Sequence, residues 1–264
     1  MSRHAIRETE RRRSRASTVA RAVALLLGLG IVLMVFGEGA SPDRYTAARN
    51  RLVDAIERDV RGTANFLGTD HLDPAVIRAM RTVPRERFVP PRLRELAYGD
   101  HPLPIGRGQT ISQPYIVAVM SHLAGIHAGE RVYELGTGSG YQAAVLAEMG
   151  TEVYSVEIVP DLAERAAQTL SDLGYDKVHV RAGDGYLGWP DAAPFDAVIV
   201  TAAHPEVPRP LVEQLKTGGR LIMPVGEAGG AQELMLMIKQ PDGRLHARDV
   251  LPVRFVPVTG DAAR

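Results

Sequence analysis

Within residues 45–60 the apolar positions Leu52, Val53, Ile56 and Val60 recur at the three- and four-residue spacing of one helical face, with charged side chains between them. That pattern predicts an amphipathic helix. Asp73-Pro74 then supplies an N-cap followed by a proline at the first helical position, so a second helix is expected through Met80, ending before Val83-Pro84. Over residues 84–113 no period holds and Pro and Gly are frequent, which predicts a loop. A loop of that length inside a compact domain is more often functional than idle.

From Arg131 the pattern changes to short apolar, largely β-branched runs alternating with helical ones. Strands are expected at residues 131–136, 152–158, 177–184, 195–203 and 218–226, and helices at 140–150, 160–173 and 208–215. Two further strands, 232–239 and 250–258, lie on either side of a Pro-Asp-Gly turn. Strands alternating with helices make an α/β fold: a doubly wound, Rossmann-like parallel sheet with an N-terminal helical segment and a C-terminal β extension. No internal repeat is visible.

The N-terminus breaks this texture. Arg3, Arg7, Arg11, Arg12, Arg13, Arg15 and Arg21 precede an uncharged run, AVALLLGLGIVLMVF at residues 22–36, followed by the small residues Gly37, Gly39 and Ala40. The run is shorter than the roughly 20 residues that span a bilayer and fits the apolar region of a signal peptide better. A cleavable signal, a short anchor and a buried core helix are the three readings it allows. The rest of the composition mainly excludes. Lys plus Arg, 31, balance Asp plus Glu, 31, so the total charge does not point to a nucleic-acid partner. The chain has no cysteine, which removes disulfides, thiolate metal sites and cysteine nucleophiles together.

The densest candidate chemistry is the stretch Glu134-Leu135-Gly136-Thr137-Gly138-Ser139-Gly140, where the first expected strand of the sheet gives way to a helix. Glycines there permit a tight turn and close approach of the backbone to a ligand, and the helix N-terminus offers unpaired N–H donors. Taken alone such a turn is weak evidence, since it also has a purely structural reading. Glu157, at the end of the next strand about twenty residues on, is placed to accept hydrogen bonds from both hydroxyls of a ribose. Asp184-Gly185 follows the third strand, and the surrounding Gly-Asp-Gly also reads as a simple turn.

An acid ahead of Gly-x-Gly-x-Gly differs from the dinucleotide fingerprint and is similar to class I S-adenosylmethionine (AdoMet)-dependent methyltransferases. A second set of segments is more specific: DHPLPIGRGQTISQP at residues 100–114, VPRERFVP at 83–90, GSGYQA at 138–143, FDAVIVTAA at 195–203 and QLKTGGR at 214–220. In this order they resemble the protein-L-isoaspartate O-methyltransferase family, over roughly residues 45–258. The resemblance implies a class I methyltransferase sheet, AdoMet as methyl donor, no metal, and isoaspartyl-containing proteins and peptides as substrates. It implies a cofactor-binding set of Ile111, Ser112, Gln113, Glu134, Gly136, Thr137, Gly138, Gly140, Glu157, Ile158, Asp184 and Gly185. It also implies that Thr110, Ser112 and His204 meet the substrate, with Ser112 as the active-site serine.

Ser112 is not expected to be a covalent nucleophile, since no Gly-x-Ser-x-Gly elbow surrounds it and methyl transfer needs no acyl-enzyme. An isoaspartyl α-carboxylate, with a pKa of about 4, is already ionised at neutral pH, so no general base is required. The family's methyl ester closes to a succinimide whose hydrolysis returns some normal aspartyl linkage, which is repair of aged Asp and Asn sites. Arg107 and His204 depart from what the family commonly places there. Arg107 either pairs with the substrate carboxylate or is a solvated loop charge, and His204 is either pocket wall or surface.

On this reading residues 1–40 are a targeting or anchor segment, 41–125 a helical and active-site-loop region, and 126–264 the AdoMet-binding domain with its C-terminal strands. Two other functions compete: an AdoMet methyltransferase for another carboxylate substrate, and a membrane-tethered protein that binds AdoMet or isoaspartyl peptides without turnover. The positive-inside rule would place a domain following a true membrane span outside the cytoplasm, away from AdoMet. Membrane association through residues 19–36 without crossing, a downstream start such as Met34, and export with binding alone each resolve the conflict. We expect a monomeric, cytoplasm-facing catalytic domain.

Overall fold

The computed structural model describes residues 44–227 and 229–260; the expectations for residues 1–40 fall outside them. From Tyr45 onward the described residues form one compact unit. The first predicted helix is α1, Thr46–Gly62, which buries Leu52, Val53, Ile56 and Val60 on the expected face. A single turn, α2 (Ala64–Leu67), follows. α3, Pro74–Thr82, starts where Asp73 caps it, the side chain accepting from the Ala75 N–H at 2.6 Å. It ends at Val83, which is extended ahead of Pro84.

The segment expected to be a loop at 84–113 is more ordered than its sequence suggests. It contains 3-10 helices of one turn at Arg85–Arg87 and two turns at Pro91–Leu96, and an antiparallel hairpin of β1 (Leu103–Gly106) and β2 (Gln109–Ile111). Strands of four and three residues are too short to show alternation, which is why pattern reading missed them. The hairpin turns at Gly106, Arg107 and Gly108, all with positive φ (99°, 55° and 74°). Helix α4, Pro114–Ala124, was not singled out either, because it is apolar on nearly every side and almost all of it is buried.

The sheet runs β5–β4–β3–β6–β7–β8–β9, with β3 Arg131–Leu135, β4 Glu152–Glu157, β5 Val178–Ala182, β6 Phe195–Val200, β7 Leu215–Gly226, β8 Gln232–Lys239 and β9 Leu245–Val253. The first five of these in space are parallel, and β8 and β9 close one edge antiparallel. Their crossovers are α5 (Tyr141–Glu148), α6 (Pro160–Asp172) and α7 (Arg209–Gln214). Neighbouring residues such as Val132 and Tyr133, or Ile222 and Leu221, enter separate apolar clusters, as period-two alternation through a sheet covered on both faces requires.

The last strand is shifted from expectation: it begins at Leu245 and ends at Val253, not 250–258. Residues 246–249 are exposed on the sheet edge, so burial leaves no apolar signal there. The apolar residues that suggested a strand at 254–258 instead leave the sheet and run beside the ends of β6 and β7, with Ala203 and Pro257 in a single parallel bridge.

Candidate functional site

β3 sits between β4 and β6, so the chain winds outward in one direction through β4 and β5 and in the other through β6 and β7. The loops leaving β3 and β6 diverge at this switch, which opens a crevice at the carboxyl ends of the strands. Each loop is anchored by its own residues. The Gly136 N–H donates to the Val156 carbonyl at 2.8 Å, and the Gly140 N–H to Thr137 at 2.8 Å. Thr201 Oγ1, at the end of β6, donates to the Gly136 carbonyl at 2.6 Å and lies 2.9 Å from that of Leu135. A Cβ at Gly136 would sit 2.4 Å from that hydroxyl, so a side chain is excluded at this turn.

Glu157 is buried at the end of β4. Its Oε2 accepts from the Gly138 N–H at 2.7 Å and its Oε1 from the Val159 N–H at 3.0 Å. A carboxylate has about four acceptor sites, so lone pairs remain for a diol. The chemistry of this wall fits the nucleoside part of AdoMet: a carboxylate, bare backbone at Gly136 and Gly185, where Thr201 and Leu135 leave no room for a side chain, and the partly exposed apolar side chain of Ile158 beside them.

The crevice is lined by Gln109, Thr110, Ile111 and Ser112 from the hairpin, by residues 135–139, Tyr141 and Gln142, by residues 156–158, and by Gly185, Thr201 and Ala202. Residues 256–259 complete it. Of the residues expected to bind cofactor, Ile111, Ser112, Gly136, Thr137, Gly138, Glu157, Ile158 and Gly185 are on this wall. The others stand behind it or beside it. Gly140 supports the loop from outside, where a Cβ would meet Leu170 at 3.1 Å. Asp184 caps the turn after β5 by accepting from the Tyr186 N–H at 3.0 Å.

Glu134 lies beneath the glycine loop, fully buried. Its Oε2 accepts from Ser155, whose hydroxyl is 2.6 Å from that of Thr137, while Oε1 has no partner among the described residues. Burial pushes its carboxyl up to about 8, against the pull of the Ser155 hydrogen bond. Its acid is therefore an internal support of the loop.

A second groove, lined by Pro102, Thr110, Ser112, Gln113, Ile116 and Thr201 with residues 252–256, opens beside the first. Thr110, Ser112, Thr201 and Val256 belong to both. Ser112 thus stands on the partition between two compartments. Gln113 faces only the second, its amide donating to Asp100 at 2.8 Å. His204 lines neither groove; its ring lies against Tyr186 and its Nδ1 is 2.7 Å from the Glu206 carbonyl. Arg107 is an exposed charge of the hairpin turn, the second of its two expected roles, and pairs there with Asp161, itself exposed in the first turn of α6.

Thr201 and residues 256–259 were not among the predicted site residues. The latter are held by the buried amide of Gln232, which accepts from the Phe255 N–H at 2.6 Å and donates to the Phe255 carbonyl at 3.2 Å. They are also held by Ala203, whose N–H donates to Val256 and whose carbonyl accepts from Val258, each at 2.8 Å. Among the described residues, no group of His, Asp and Glu could hold a metal ion.

The sequence model of the protein-L-isoaspartate(D-aspartate) O-methyltransferase family matches residues 68–263. Protein-L-isoaspartate O-methyltransferase 2 of Syntrophobacter fumaroxidans is 53% identical over 247 residues, 94% of this chain and 99% of that protein. The protein-L-isoaspartate O-methyltransferase of Gloeobacter violaceus is 60% identical over 185 residues, 70% of this chain and 90% of its own. A solved protein-L-isoaspartate O-methyltransferase superposes with a TM-score of 0.71 at 30% identity, covering 81% of this chain and 67% of that one. A beta-aspartate methyltransferase of Plasmodium falciparum in complex with S-adenosyl-L-homocysteine gives 0.66 at 25% identity, covering 80% and 98%.

Proposed function

The chain belongs to the protein-L-isoaspartate O-methyltransferase family, and from that premise we propose that it methylates the α-carboxylate of L-isoaspartyl residues in damaged proteins. The observation that carries the reading is the position of Ser112 on the wall common to the two grooves. One groove has the chemistry of a nucleoside site; the other is open and lined largely by apolar surface.

AdoMet supplies a methyl group on a positively charged sulfonium. With AdoMet bound, Glu157 would accept from the ribose hydroxyls through the lone pairs its two backbone N–H partners leave over, and Gly136, Thr137 and Gly138 would line the ligand beside it. The acceptor carboxylate is a nucleophile as it arrives, so proton removal is not part of the task. Ser112 donates a hydrogen bond to one carboxylate oxygen and leaves the other directed at the first groove. Ile116, Phe255 and Val256 give the groove beside it an apolar lining. Holding two reactants in line in a dry site is worth roughly 7 to 11 kcal/mol, enough to make positioning the main source of rate. The backbone amide nitrogen of the following residue then attacks the ester carbonyl and gives up its proton as methanol leaves, and water opens the resulting succinimide partly to the normal aspartyl linkage.

The test is transfer of labelled methyl from AdoMet to an isoaspartyl peptide and to its aspartyl counterpart, by the full chain and by Ser112→Ala. We expect base-labile label on the isoaspartyl peptide alone, and a loss in kcat on the order of 100-fold in Ser112→Ala with AdoMet binding kept. Binding of AdoMet without transfer to either peptide would sink this reading.

Among the described residues no helix is long and apolar enough to cross a membrane. We read the catalytic unit as monomeric and cytoplasm-facing, with residues 19–36 associating with a membrane surface. Cell fractionation of the full chain against a chain starting at Ser41 tests this, and equal partition into the soluble fraction would count against it.

A further inference from the structure

Arg85 is fully buried, in the one-turn helix that follows α3. Its Nη2 donates to the carbonyl of Ser112 at 2.8 Å, its Nε donates to the carbonyl of Ala97 at 2.9 Å, and its guanidinium lies 4.8 Å from the ring centre of Tyr141. Tyr141 is the first residue of α5 and part of the cofactor wall. Among the described residues no carboxylate hydrogen-bonds this cation, and its Nη1 has no partner. Asp100, the acid whose field reaches it, uses its two oxygens to accept from the Gln113 amide and the Tyr115 N–H, each at 2.8 Å.

A buried guanidinium without an anion is costly, and an apolar side chain of similar volume would fill this place at lower free energy. What an apolar side chain would not provide is a rigid planar set of donors that fixes separate stretches of backbone at once. Arg85 grips the main chain at Ser112 itself, while Asp100 holds the side-chain amide of the next residue, Gln113, and the main chain at Tyr115. The serine is thereby clamped from both sides.

We propose that Arg85 is a positioning residue for methyl transfer, setting Ser112 against the first residue of the cofactor helix. The inference rests on the reading of Ser112 given above. It predicts a loss of rate without a matching loss of cofactor binding.

The experiment compares Arg85→Met, Arg85→Lys, Ser112→Ala and the double variant Ser112→Ala/Arg85→Met in steady-state transfer to an isoaspartyl peptide. S-adenosylhomocysteine affinity is measured by calorimetry on each. For Arg85→Met we expect kcat to fall on the order of 100-fold, since a shift of about 1 Å in a reacting group has that effect. S-adenosylhomocysteine affinity should stay within about threefold, Arg85→Lys should recover about tenfold of the rate, and the double variant should be no more than about threefold slower than the slower single one.

Additive losses, or an affinity loss equal to the rate loss, overturn the proposal and leave the serine's role standing. A Ser112→Ala enzyme with parental kcat overturns the serine reading and the role of Arg85 with it. If Arg85→Met does not fold, Arg85→Lys combined with Ser112→Ala gives the same non-additivity test, with additivity again the overturning result.

Discussion

Glu134 shows how far a residue's role depends on what surrounds it. Its place ahead of the glycines made it a candidate ligand of the cofactor, yet the fold seals it under the loop with Ser155 and Thr137. Its carboxyl, raised to about 8 by burial, gives a pH dependence whose sign follows directly. Below its ordinary value of 4.5 the group is protonated folded or unfolded and its contribution to stability is fully present; as pH climbs through 8 that contribution is lost. Glu134→Gln keeps the shape and does not titrate. Urea unfolding of the cofactor-free proteins should therefore show the variant gaining on the parent between pH 5 and pH 8.5, by an amount on the order of a few kcal/mol. A constant difference across that range would mean that the carboxyl ionises normally in the folded state.

At the scale of the element, α3 was legible because both of its ends are written in local chemistry, an Asp-Pro start and a Val-Pro stop. The cap is also held from outside, since the Asp73 N–H donates to His122 Nδ1 on α4 at 3.1 Å. Burial holds the His122 imidazole below its usual range, consistent with a neutral ring accepting that bond. Asp73→Ala should cost about 1 kcal/mol in the urea midpoint, as the loss of an N-cap acceptor does. A change below about 0.3 kcal/mol would indicate that Pro74 and His122 fix the helix start without the carboxylate. The β1–β2 hairpin and α4 were not legible for opposite reasons. One has too few residues to show a period, and the other is apolar all round and so lacks the contrast on which a period depends.

The whole molecule closes its site with a stretch remote in sequence from the glycine loop. Residues 256–259 wall the cofactor crevice, and residues 252–256 the neighbouring groove. Both depend on Gln232 at the start of β8, whose amide pairs with Phe255 as a backbone neighbour would. Gln232→Ala leaves the Phe255 N–H and carbonyl without that partner, a penalty of about 1–3 kcal/mol. Part of it should appear as a roughly tenfold weaker S-adenosylhomocysteine affinity by calorimetry, since 1.4 kcal/mol is tenfold in binding. Unchanged affinity would mean that the Ala203 hydrogen bonds alone hold the segment.

The sequence by itself determined the order of strands and helices from Arg131, the glycine turn with Glu157 behind it, and the family to which the chain belongs. These are properties of near neighbours along the chain: period, turn chemistry and contiguous motifs. Only the tertiary structure decided that Glu134 is covered and Ile158 uncovered, and that Arg107 meets Asp161. It also decided that Arg85 reaches Ser112, 27 residues away, and that the C-terminal segment leaves the sheet to wall both grooves. The reason is physical: burial and hydrogen-bond partnership are set by which distant segments the core brings together, and no local pattern records the far partner.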